Sequence, residues 1–336
     1  MSHSLIVLPD QSVQLILDAI GSAKKSIRVK MFLFSHPGLL QAVIKAKKRG
    51  VNVRVMLNPA RRSGESDNEA TRIKLRAAGV NVIDSNPAFD VTHEKSMVVD
   101  DEMAFVQSLN WATKNVQGTR DYAIVTTHRA EVAEIIACFE ADWKRKPFVV
   151  DCDTVLIWCN GNGRDRIAQF IDNAKHTLFV QNERYQDPVI IERLVRARMR
   201  GVKIHVMARP PHKLKKEKLI EGVGGLRIMD DVGIKIRKLR HLKLHGKMLL
   251  ADDSRAIVGS INLAPGSFDS RRELAIEVHN SDVVKKLRKT ARHDWKHSHP
   301  LDLTDEGLLE EMTQHQVDAA DELALGSGRK KKQAKK

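Results

Sequence analysis

Two short segments of this 336-residue chain carry the same set of chemically reactive side chains. The first reads HEKSMVVDDEMAFVQSLN from residue 93, and the second reads HGKMLLADDSRAIVGSIN from residue 245. A histidine, a lysine, an aspartate, a serine and an asparagine recur at one offset, since 245 − 93 = 152 and 262 − 110 = 152. At ordinary residue frequencies a chance match of this kind has odds of roughly 10⁻⁴, so the repeat indicates a duplicated functional unit.

Side-chain alternation along a strand places the histidine and the lysine of each segment on one face. Residues i and i+2 of a strand point the same way, so His93 projects with Lys95, and His245 with Lys247. Each segment then turns and returns, which predicts two hairpins. The return strands are expected to bring a hydroxyl and an amide back beside the imidazole and the ammonium. The residues concerned are Ser108 and Asn110 in the first segment and Ser260 and Asn262 in the second.

Two imidazoles that flank one phosphodiester could carry out a double displacement. Because imidazole titrates near neutral pH, a neutral and a protonated ring can coexist there. One ring would attack phosphorus and form a phosphohistidine, while the other would protonate the leaving oxygen and later activate water or an alcohol. Lys95 and Lys247, helped by the asparagine amides, would stabilise the equatorial oxygens, and the serine hydroxyls would bond the same oxygens or hold the lysines. Because protein cations supply the charge, this scheme needs no metal ion and no other cofactor.

Four acidic residues recur at the same offset and predict two different roles. Asp100 and Asp252 fall in the hairpin turns, where aspartate usually bonds its own backbone, so we interpret them as architectural. Asp121 and Glu273 each stand 28 residues past a motif histidine, since 121 − 93 = 28 and 273 − 245 = 28. A carboxylate that bonds one ring nitrogen would orient the imidazole and raise its basicity. We favour this role over that of a surface acid paired with the neighbouring arginine.

Strand-like and helix-like segments alternate in the same order through both copies. The first copy predicts helices near 11–23, 36–49 and 130–145, another helix ending near 78, and strands near 26–34, 51–57, 80–83 and 122–126. The second predicts helices near 165–175 and 188–200 and strands near 176–181 and 202–207. This alternation predicts an α/β class with mixed, largely parallel sheets. We divide the chain into a first half, 1–147, a second half, 148–298, and a segment, 299–336, that joins an acidic helix to a disordered basic tail.

Composition limits the classes of partner. The formal net charge of +15 favours polyanions such as nucleic acid, anionic lipid headgroups or phosphorylated substrates. Aromatic residues make up 4% of the chain, which is thin for base-stacking platforms. No apolar run approaches the about 18 residues of a membrane span, and the first residues lack the basic region of a secretory signal. Cys138, Cys152 and Cys159 have no metal-type spacing and predict buried thiols in a reduced cytoplasm.

Two basic stretches are candidates for the rim of a substrate site. Arg61 and Arg62 lie in one, while residues 209–218 and 235–243 form the other. Cations that alternate along a strand leading into His245 would suit the guidance of a phosphate inward. An ordinary solvated basic face is the alternative interpretation.

Both segments resemble the HxK(x)4D(x)6GSxN signature of the phospholipase D superfamily. The second segment matches at every position, and the first departs at Gln107, where the signature has glycine. Including the repeated elements around the motifs, the resemblance covers residues 10–297. It implies two α/β/α sandwich halves related by a pseudo-twofold axis, one active site between them, and the phosphohistidine route without a metal. It also implies that His93 is the nucleophile, that His245 is the acid and base, and that the carboxylate of one half supports the histidine of the other.

The resemblance leaves the substrate class open. The superfamily includes phospholipases D, cardiolipin and phosphatidylserine synthases, and nucleases. Lipid enzymes usually carry both motifs in one chain, as here, whereas the strong positive charge and the missing membrane anchor favour nucleic acid. We expect a phosphodiesterase or phosphatidyltransferase acting on a phospholipid headgroup, with a metal-independent nuclease as the alternative and a non-catalytic polyanion-binding protein as the third interpretation.

The expected location follows from the same observations. A chain without a membrane span or a secretory signal is expected in the cytoplasm, and its charge suits peripheral contact with an anionic inner membrane face. Because both motifs belong to one chain, a monomer suffices for a complete active site.

Overall fold

A computed structural model describes residues 2–59, 68–151, 153–210 and 219–309 of the chain. In each half the described elements form a mixed sheet with flanking helices. The first half contains β1 (His3–Leu8), α1 (Gln14–Ser22), β2 (Ser26–Met31), α2 (Pro37–Lys48), β3 (Asn52–Leu57), α3 (Glu69–Ala77), β4 (Asn81–Asp84), β5 (Val91–Thr92), β6 (Ser96–Val99), β7 (Met103–Gln107), α4 (Thr113–Gly118), β8 (Thr119–Thr126) and α5 (Arg129–Trp143). The second contains β9 (Leu156–Trp158), α6 (Gly163–Asp172), β10 (Thr177–Asn182), α7 (Pro188–Met199), β11 (Lys203–Ala208), α8 (Leu219–Asp231), β12 (Lys235–Leu239), β13 (Lys243–Leu244), β14 (Lys247–Ala251), β15 (Arg255–Gly259), α9 (Pro265–Asp269), β16 (Arg271–Arg272), β17 (Leu274–Val278), α10 (Ser281–Lys296) and β18 (Ser298–Pro300).

The first sheet has the strand order β1-β8-β7-β6-β2-β3-β4. Strands β2, β3 and β4 pair in parallel because α2 and α3 carry the chain back between them. Strands β6 and β7 form the predicted motif hairpin, which pairs antiparallel with β2 on one side and β8 on the other. Strand β1 closes the edge antiparallel to β8.

The second sheet repeats this plan in the order β18-β12-β11-β10-β14-β15-β17-β9. Strands β10, β11 and β12 are parallel, and β14 with β15 forms the second motif hairpin. The predicted α/β class with two similar halves and mixed sheets is confirmed. The hairpins and edge strands add antiparallel ladders that the alternation of strands and helices alone does not predict.

Matching helices begin and end with the same local chemistry in both halves. Pro37 and Pro188 occupy the first turns of α2 and α7, where a missing N–H costs nothing. The Asp187 side chain caps α7 by accepting a hydrogen bond from the N–H of Ile190 at 3.1 Å. After the helices, Gly50 and Gly201 adopt φ of 93° and 90°, a conformation that favours glycine. The helix ends predicted near residues 49 and 200 are therefore correct.

Three hydrophobic clusters form the core in layers. One packs α1 and α2 against the outer face of the first sheet, and another packs α6 and α7 against the outer face of the second. The third lies between the two sheets and contains apolar residues of both, together with residues of α5 and α10. Since strand residues alternate between faces, Ile27 and Val29 enter the first cluster while Lys30 faces the region between the sheets. This shared central layer fixes the two halves relative to each other.

Residues after the predicted boundary at 298 complete the second sheet. Strand β18 pairs antiparallel with β12, and Leu301 and Leu303 join the outer cluster of the second half. Residues 305–309 are helical and open the predicted acidic helix. Its continuation and the basic tail lie outside the described residues, as do Arg61, Arg62, Cys152 and residues 211–218.

Candidate active site

Two short parallel ladders join the halves next to the motif histidines. Strand β5 ends just before His93 and pairs with β16, which precedes Glu273. In the same way β13 precedes His245 and pairs with the start of β8, just before Asp121. The main-chain N–H of His93 donates to the carbonyl of Arg272 at 2.9 Å. Each histidine is therefore held beside the carboxylate-bearing strand of the opposite half.

Each motif histidine contacts the carboxylate of the other half. Nδ1 of His93 lies 2.9 Å from Oε2 of Glu273, and Nδ1 of His245 lies 2.8 Å from Oδ1 of Asp121. Both carboxylates are fully buried. Matched spacing selected these two acids from the sequence, and their crossing between halves is the arrangement that the family resemblance implies.

Both carboxylates are ionised at neutral pH. Burial alone would raise the pKa of Glu273, but the hydrogen bond from His93 and the nearby cations of Lys95 and Arg271 keep the pKa below the ordinary value. Burial likewise opposes the ionisation of Asp121, yet its own histidine partner brings the pKa below the ordinary value. An ionised carboxylate only accepts hydrogen bonds, so each Nδ1 carries a proton. A neutral motif histidine consequently presents its lone pair at Nε2.

His93 has the protonation state that a nucleophile needs. Burial lowers its pKa to about 3, against the opposing effect of Glu273. The ring of Phe32 packs edge-on against the His93 ring with centroids 4.9 Å apart, which contributes to this apolar environment. The side chain of His93 is still 10% exposed, so the ring retains access to a ligand. An unprotonated imidazole with a free Nε2 lone pair can attack phosphorus.

Each motif lysine is anchored to the main chain of its own histidine. Nζ of Lys95 donates to the carbonyl of His93 at 2.5 Å, and Nζ of Lys247 donates to the carbonyl of His245. Burial lowers the pKa of Lys95 well below its ordinary value, while Glu273 opposes this shift and Lys247 adds to it. That the two lysines bind one phosphate stays a prediction.

The motif serines are bonded to protein groups. Oγ of Ser108 donates to Oδ1 of Asp121 at 2.6 Å and accepts from the N–H of Tyr122 at 2.8 Å. Oγ of Ser260 accepts from the N–H of Leu274 at 3.1 Å. Both serines are fully buried. These contacts favour neither of the predicted roles, the bonding of phosphate oxygens or the holding of the lysines, because the hydroxyls instead hold the strands that carry the carboxylates.

The motif asparagines keep hydrogen-bonding capacity for a ligand. Asn110 and Asn262 follow the return strands and are buried. Within the described ranges their side-chain oxygens have no hydrogen-bond partner. An unpartnered amide oxygen accepts hydrogen bonds, so a donor group of a ligand could satisfy it, whereas a phosphate oxygen, which also only accepts, could not. Their predicted contact with phosphate stays a prediction.

The motif aspartates fix the turns that follow strands β6 and β14. The Asp100 carboxylate accepts hydrogen bonds from the main-chain N–H groups of residues 24, 25 and 26 at 2.8, 2.7 and 2.8 Å. The Asp252 carboxylate does the same for residues 175, 176 and 177 at 2.9, 2.7 and 2.9 Å. Both aspartates have positive φ, 53° and 52°, which aspartate tolerates better than most residues. The partners lie at the starts of β2 and β10 rather than in the aspartates' own turns, and the architectural role stays a prediction.

Comparison with known proteins shows the family to which the chain belongs. The family model described as "Cardiolipin synthase, PLD-like domain" matches residues 16–143 and 167–295, most of both halves. The chain belongs to this family. The predicted membership of the phospholipase D superfamily is confirmed, and so is the class of enzyme, phospholipase D or phosphatidyltransferase.

Similar proteins cover most of this chain. Cardiolipin synthase B of Salmonella typhi is 26% identical to this chain, and the match covers 83% of this chain and 76% of that protein. A phosphatidylserine synthase structure from Haemophilus influenzae Rd KW20 has a TM-score of 0.69 at 13% identity, covering 95% of this chain and 94% of the other. A polyphosphate kinase structure from Porphyromonas gingivalis has a TM-score of 0.70 at 16% identity, covering 89% of this chain and 48% of the kinase. This chain thus spans about half of the kinase, and both structures show the fold alone.

Strand packing requires the glycine of the PLD-like signature in the second half but not in the first half, where Gln107 replaces it. In the second half a side chain at Gly259 would lie 2.3 Å from the Cα of Ala275 on β17, so only glycine fits there. In the first half Gln107 is accommodated, and its Oε1 accepts a hydrogen bond from Nε1 of Trp111 at 3.0 Å. The departure therefore lies in strand packing rather than in the catalytic side chains.

Glu183 belongs to the site, although sequence reasoning did not single it out. It directly follows β10, and its Oε2 lies 2.8 Å from Nζ of Lys247 and 4.0 Å from Nε2 of His245. Its Oε1 accepts a hydrogen bond from Arg209 at 2.9 Å. Burial would raise the pKa of Glu183, but Lys247, His245 and Arg209 hold this pKa well below the ordinary value.

The first half carries Phe32 at the position of Glu183. Strands β2 and β10 align at an offset of 151, since 182 − 31 = 151 and 183 − 32 = 151. Nζ of Lys95 lies 5.1 Å from the centroid of the Phe32 ring, whereas Lys247 contacts a carboxylate. An alignment of the halves outside the motifs is the signal that could have found this difference.

Two bidentate ion pairs cross between the halves behind the histidines. The guanidinium of Arg120 donates to Asp294 at 2.9 and 2.8 Å, and that of Arg272 donates to Asp142 at 3.0 and 3.0 Å. All four side chains are buried. Each arginine immediately precedes one of the histidine-bonded carboxylates, so these pairs position the dyads.

Lys30 adds a buried cation to one of these pairs. Its Nζ lies 2.8 Å from Oδ2 of Asp142 and 2.9 Å from Oε2 of Glu94. Together with Cys138, these carboxylates lie close enough to hold a metal ion. The ammonium group already supplies the positive charge there, so we assign this cluster to inter-half packing.

Other predicted features have simpler outcomes. Arg237, in the predicted basic rim, donates to Oγ of Ser298 at 2.7 Å and stacks over Trp295, so it fastens the C-terminal segment. Cys138 and Cys159 are buried free thiols. In the described ranges none of the helices has both the length and the apolar character of a membrane span.

Proposed function

We propose that this chain cleaves or exchanges the headgroup of a phospholipid through a phosphohistidine intermediate. The observation that carries the proposal is the pair of histidine–carboxylate dyads that cross between the halves, at 2.9 and 2.8 Å. Relatives named cardiolipin synthase support a phospholipid as the substrate. Both dyads come from one chain, so a monomer is sufficient for the reaction.

In the first step Nε2 of His93 attacks the phosphorus. A nitrogen–phosphorus bond forms, the bond from phosphorus to the headgroup oxygen breaks, and His245 in its protonated form gives its Nε2 proton to that oxygen. Glu273 holds the His93 ring and stabilises the positive charge that develops on it. The lysine ammonium groups and the asparagine amides stabilise the equatorial phosphate oxygens.

In the second step an alcohol or water approaches from the side that the headgroup has left. Nε2 of His245, now neutral, removes the proton from the incoming hydroxyl, whose oxygen bonds to phosphorus as the bond to His93 breaks. Asp121 supports the histidine in this exchange of roles. Transfer to an alcohol gives a new phospholipid, and transfer to water gives phosphatidic acid.

A nuclease is the second candidate because the net charge of +15 suits a polyanionic substrate. The same dyads would perform the same chemistry on a nucleic-acid phosphodiester. The same charge also suits peripheral contact with an anionic membrane surface. An assay that offers both substrates to the same preparation separates the two candidates.

The test uses vesicles of phosphatidylglycerol and plasmid DNA, both in EDTA. We expect headgroup release or exchange on vesicles and intact plasmid, and a loss of at least about 10³-fold in His93→Ala and in His245→Ala. His279→Ala, at a side chain that is 62% exposed, is the control and should keep wild-type turnover. Plasmid cleavage without lipid turnover would establish the nuclease instead. Binding to either substrate with no turnover would leave a non-catalytic polyanion-binding protein.

A further inference from the structure

The two sides of the proposed site differ in one position that the motifs do not include. Beside His93 the first half presents the ring of Phe32, and beside His245 the second half presents the carboxylate of Glu183. The side chain of Glu183 is 11% exposed, so it borders the site rather than the bulk solvent. This difference places an aromatic ring on one face of the site and, on the other, a carboxylate that is paired with Lys247 and Arg209.

The reaction proposed above assigns different groups to these two faces. When His93 attacks phosphorus, the leaving oxygen lies in line on the opposite side, next to Nε2 of His245. The acceptor alcohol enters at the same side in the second step. Because Oε2 of Glu183 lies 4.0 Å from this Nε2, the carboxylate flanks the headgroup that leaves and the alcohol that enters.

We propose that Glu183 selects headgroups and acceptor alcohols that carry a hydrogen-bond donor beside the reacting oxygen. The donor is a hydroxyl of a polyol or the ammonium of an amino alcohol. This inference rests on the proposed phospholipid function and narrows it to a substrate class. An ionised carboxylate has about four acceptor sites, and Lys247 and Arg209 occupy one on each oxygen. A site therefore remains for a substrate hydroxyl or ammonium group.

A purely structural role for Glu183 predicts a different outcome. If the carboxylate only neutralised Lys247 and held it in place, its loss would slow the reaction with every acceptor by the same factor. A group that binds the acceptor changes the choice between acceptors. The ratio of two products formed from one phosphohistidine intermediate measures that choice, because the first step is common to both and cancels.

The experiment offers deuterated glycerol and 1-propanol at equal concentration to the full chain acting on phosphatidylglycerol vesicles in EDTA. Mass spectrometry gives the ratio of deuterated phosphatidylglycerol to phosphatidylpropanol. We expect the wild type to favour glycerol by about tenfold or more, the range of a hydrogen bond to a charged group. Glu183→Gln should bring the ratio close to one, and Glu183→Asp should keep part of the preference. Glu192→Gln, at a side chain that is 44% exposed on α7, is the matched control and should keep the wild-type ratio.

A second pair of acceptors identifies the donor. Ethanolamine carries an ammonium group with hydrogen-bond donors, and choline carries the same charge without them. A preference for ethanolamine over choline in the wild type that disappears in Glu183→Gln supports hydrogen bonding. If Glu183→Gln instead lowers transfer to ethanolamine and to choline by the same factor, the carboxylate selects charge alone, and the proposal is overturned.

The outcomes distinguish a failure of the Glu183 proposal from a failure of the proposed phospholipid function. A wild-type glycerol-to-propanol ratio near one overturns the role of Glu183, and this measurement needs no variant even if Glu183→Gln fails to fold. An unchanged ratio in an active Glu183→Gln also overturns it while the phospholipid function stands. If the wild type forms neither product, the proposed function fails and the inference fails with it.

Discussion

Nδ1 of His93 lies 2.9 Å from Oε2 of Glu273, although 180 residues separate them along the chain. The equivalent contact between His245 and Asp121 spans 124 residues in the opposite sense. Neither half therefore contains a complete dyad, because each supplies the histidine of one and the carboxylate of the other. This exchange explains why the motif and its distant acid are both duplicated in one chain.

Removing the Glu273 charge should disable the His93 dyad. A glutamine can donate a hydrogen bond to Nδ1, which would favour the wrong tautomer and take the lone pair away from Nε2. We expect Glu273→Gln to lower kcat on vesicles by about 10²–10⁴-fold. Glu273→Asp should retain more activity, because the first half uses an aspartate at the matching position. Equal kcat in the wild type and in Glu273→Gln would contradict the orienting role.

When an anion binds to the site, Lys95 should take up a proton. Burial lowers the pKa of this lysine well below 10.5. At pH values below 10.5, part of the Lys95 population is therefore neutral when no anion is bound. A bound anion favours the charged form and raises the pKa, which requires proton uptake. Calorimetric titration with sulfate in buffers of different ionisation enthalpy measures this uptake. Lys95→Met should bind sulfate with less uptake, and proton release by the wild type would contradict the assignment.

Breaking one inter-half ion pair should cost much more stability than breaking a surface pair. In Asp142→Asn the cation of Arg272 stays buried without its anion and Lys30 keeps only Glu94, which should lower the free energy of unfolding by about 3–5 kcal/mol. Glu192→Gln removes an exposed partner of Arg196, and about 0–1 kcal/mol is expected. Urea denaturation measures both. Similar small losses in the two variants would show that the buried pair does not hold the halves together.

The same aspartate predicts the acid dependence of stability. Burial opposes the ionisation of Asp142, but Lys30 and Arg272 lower its pKa from 3.8 to about 2. A depressed folded-state pKa contributes stability that is present above 3.8 and is lost as the pH falls toward 2. The stability difference between wild type and Asp142→Asn should therefore shrink across that window. A difference that stays constant with pH would contradict the assignment.

The motif aspartates should matter for folding rather than for chemistry. Asp100→Ala removes the acceptor of three main-chain hydrogen bonds and places alanine at positive φ, so we expect a loss of about 1–3 kcal/mol or more. Asp100→Asn keeps an acceptor and a residue that tolerates this φ, and should lose less. The kcat of folded Asp100→Asn should stay within a few-fold of wild type. A large loss of kcat with unchanged stability would contradict the architectural role.

Repetition made most of the fold and much of the site predictable. The offset of 152 aligned two hairpins, and spacing from the histidines identified Asp121 and Glu273 without any structure. Their crossing between halves followed only from the family resemblance, because spacing does not tell which partner a carboxylate meets. The ends of helices α2 and α7 were predictable because the signals that end a helix are local.

Features that depend on tertiary contacts were not predictable in the same way. Glu183 meets Lys247, 64 residues away, and its counterpart is a phenylalanine, so no repeat marked it. The buried pairs of Arg120 and Arg272 reached acids 174 and 130 residues distant. Ser108 bonds a carboxylate because of how two strands pair, which a motif match alone does not show.

The most direct test of the central claim is to trap the covalent intermediate. The probe is a p-nitrophenyl ester of phosphatidic acid given to His245→Ala, because this leaving group needs no protonation while the second step lacks its base. We predict a burst of one equivalent of nitrophenol and a phosphatidyl group on the peptide that contains His93. A label on any other residue, or turnover of the same probe by His93→Ala at the wild-type rate, would contradict the account.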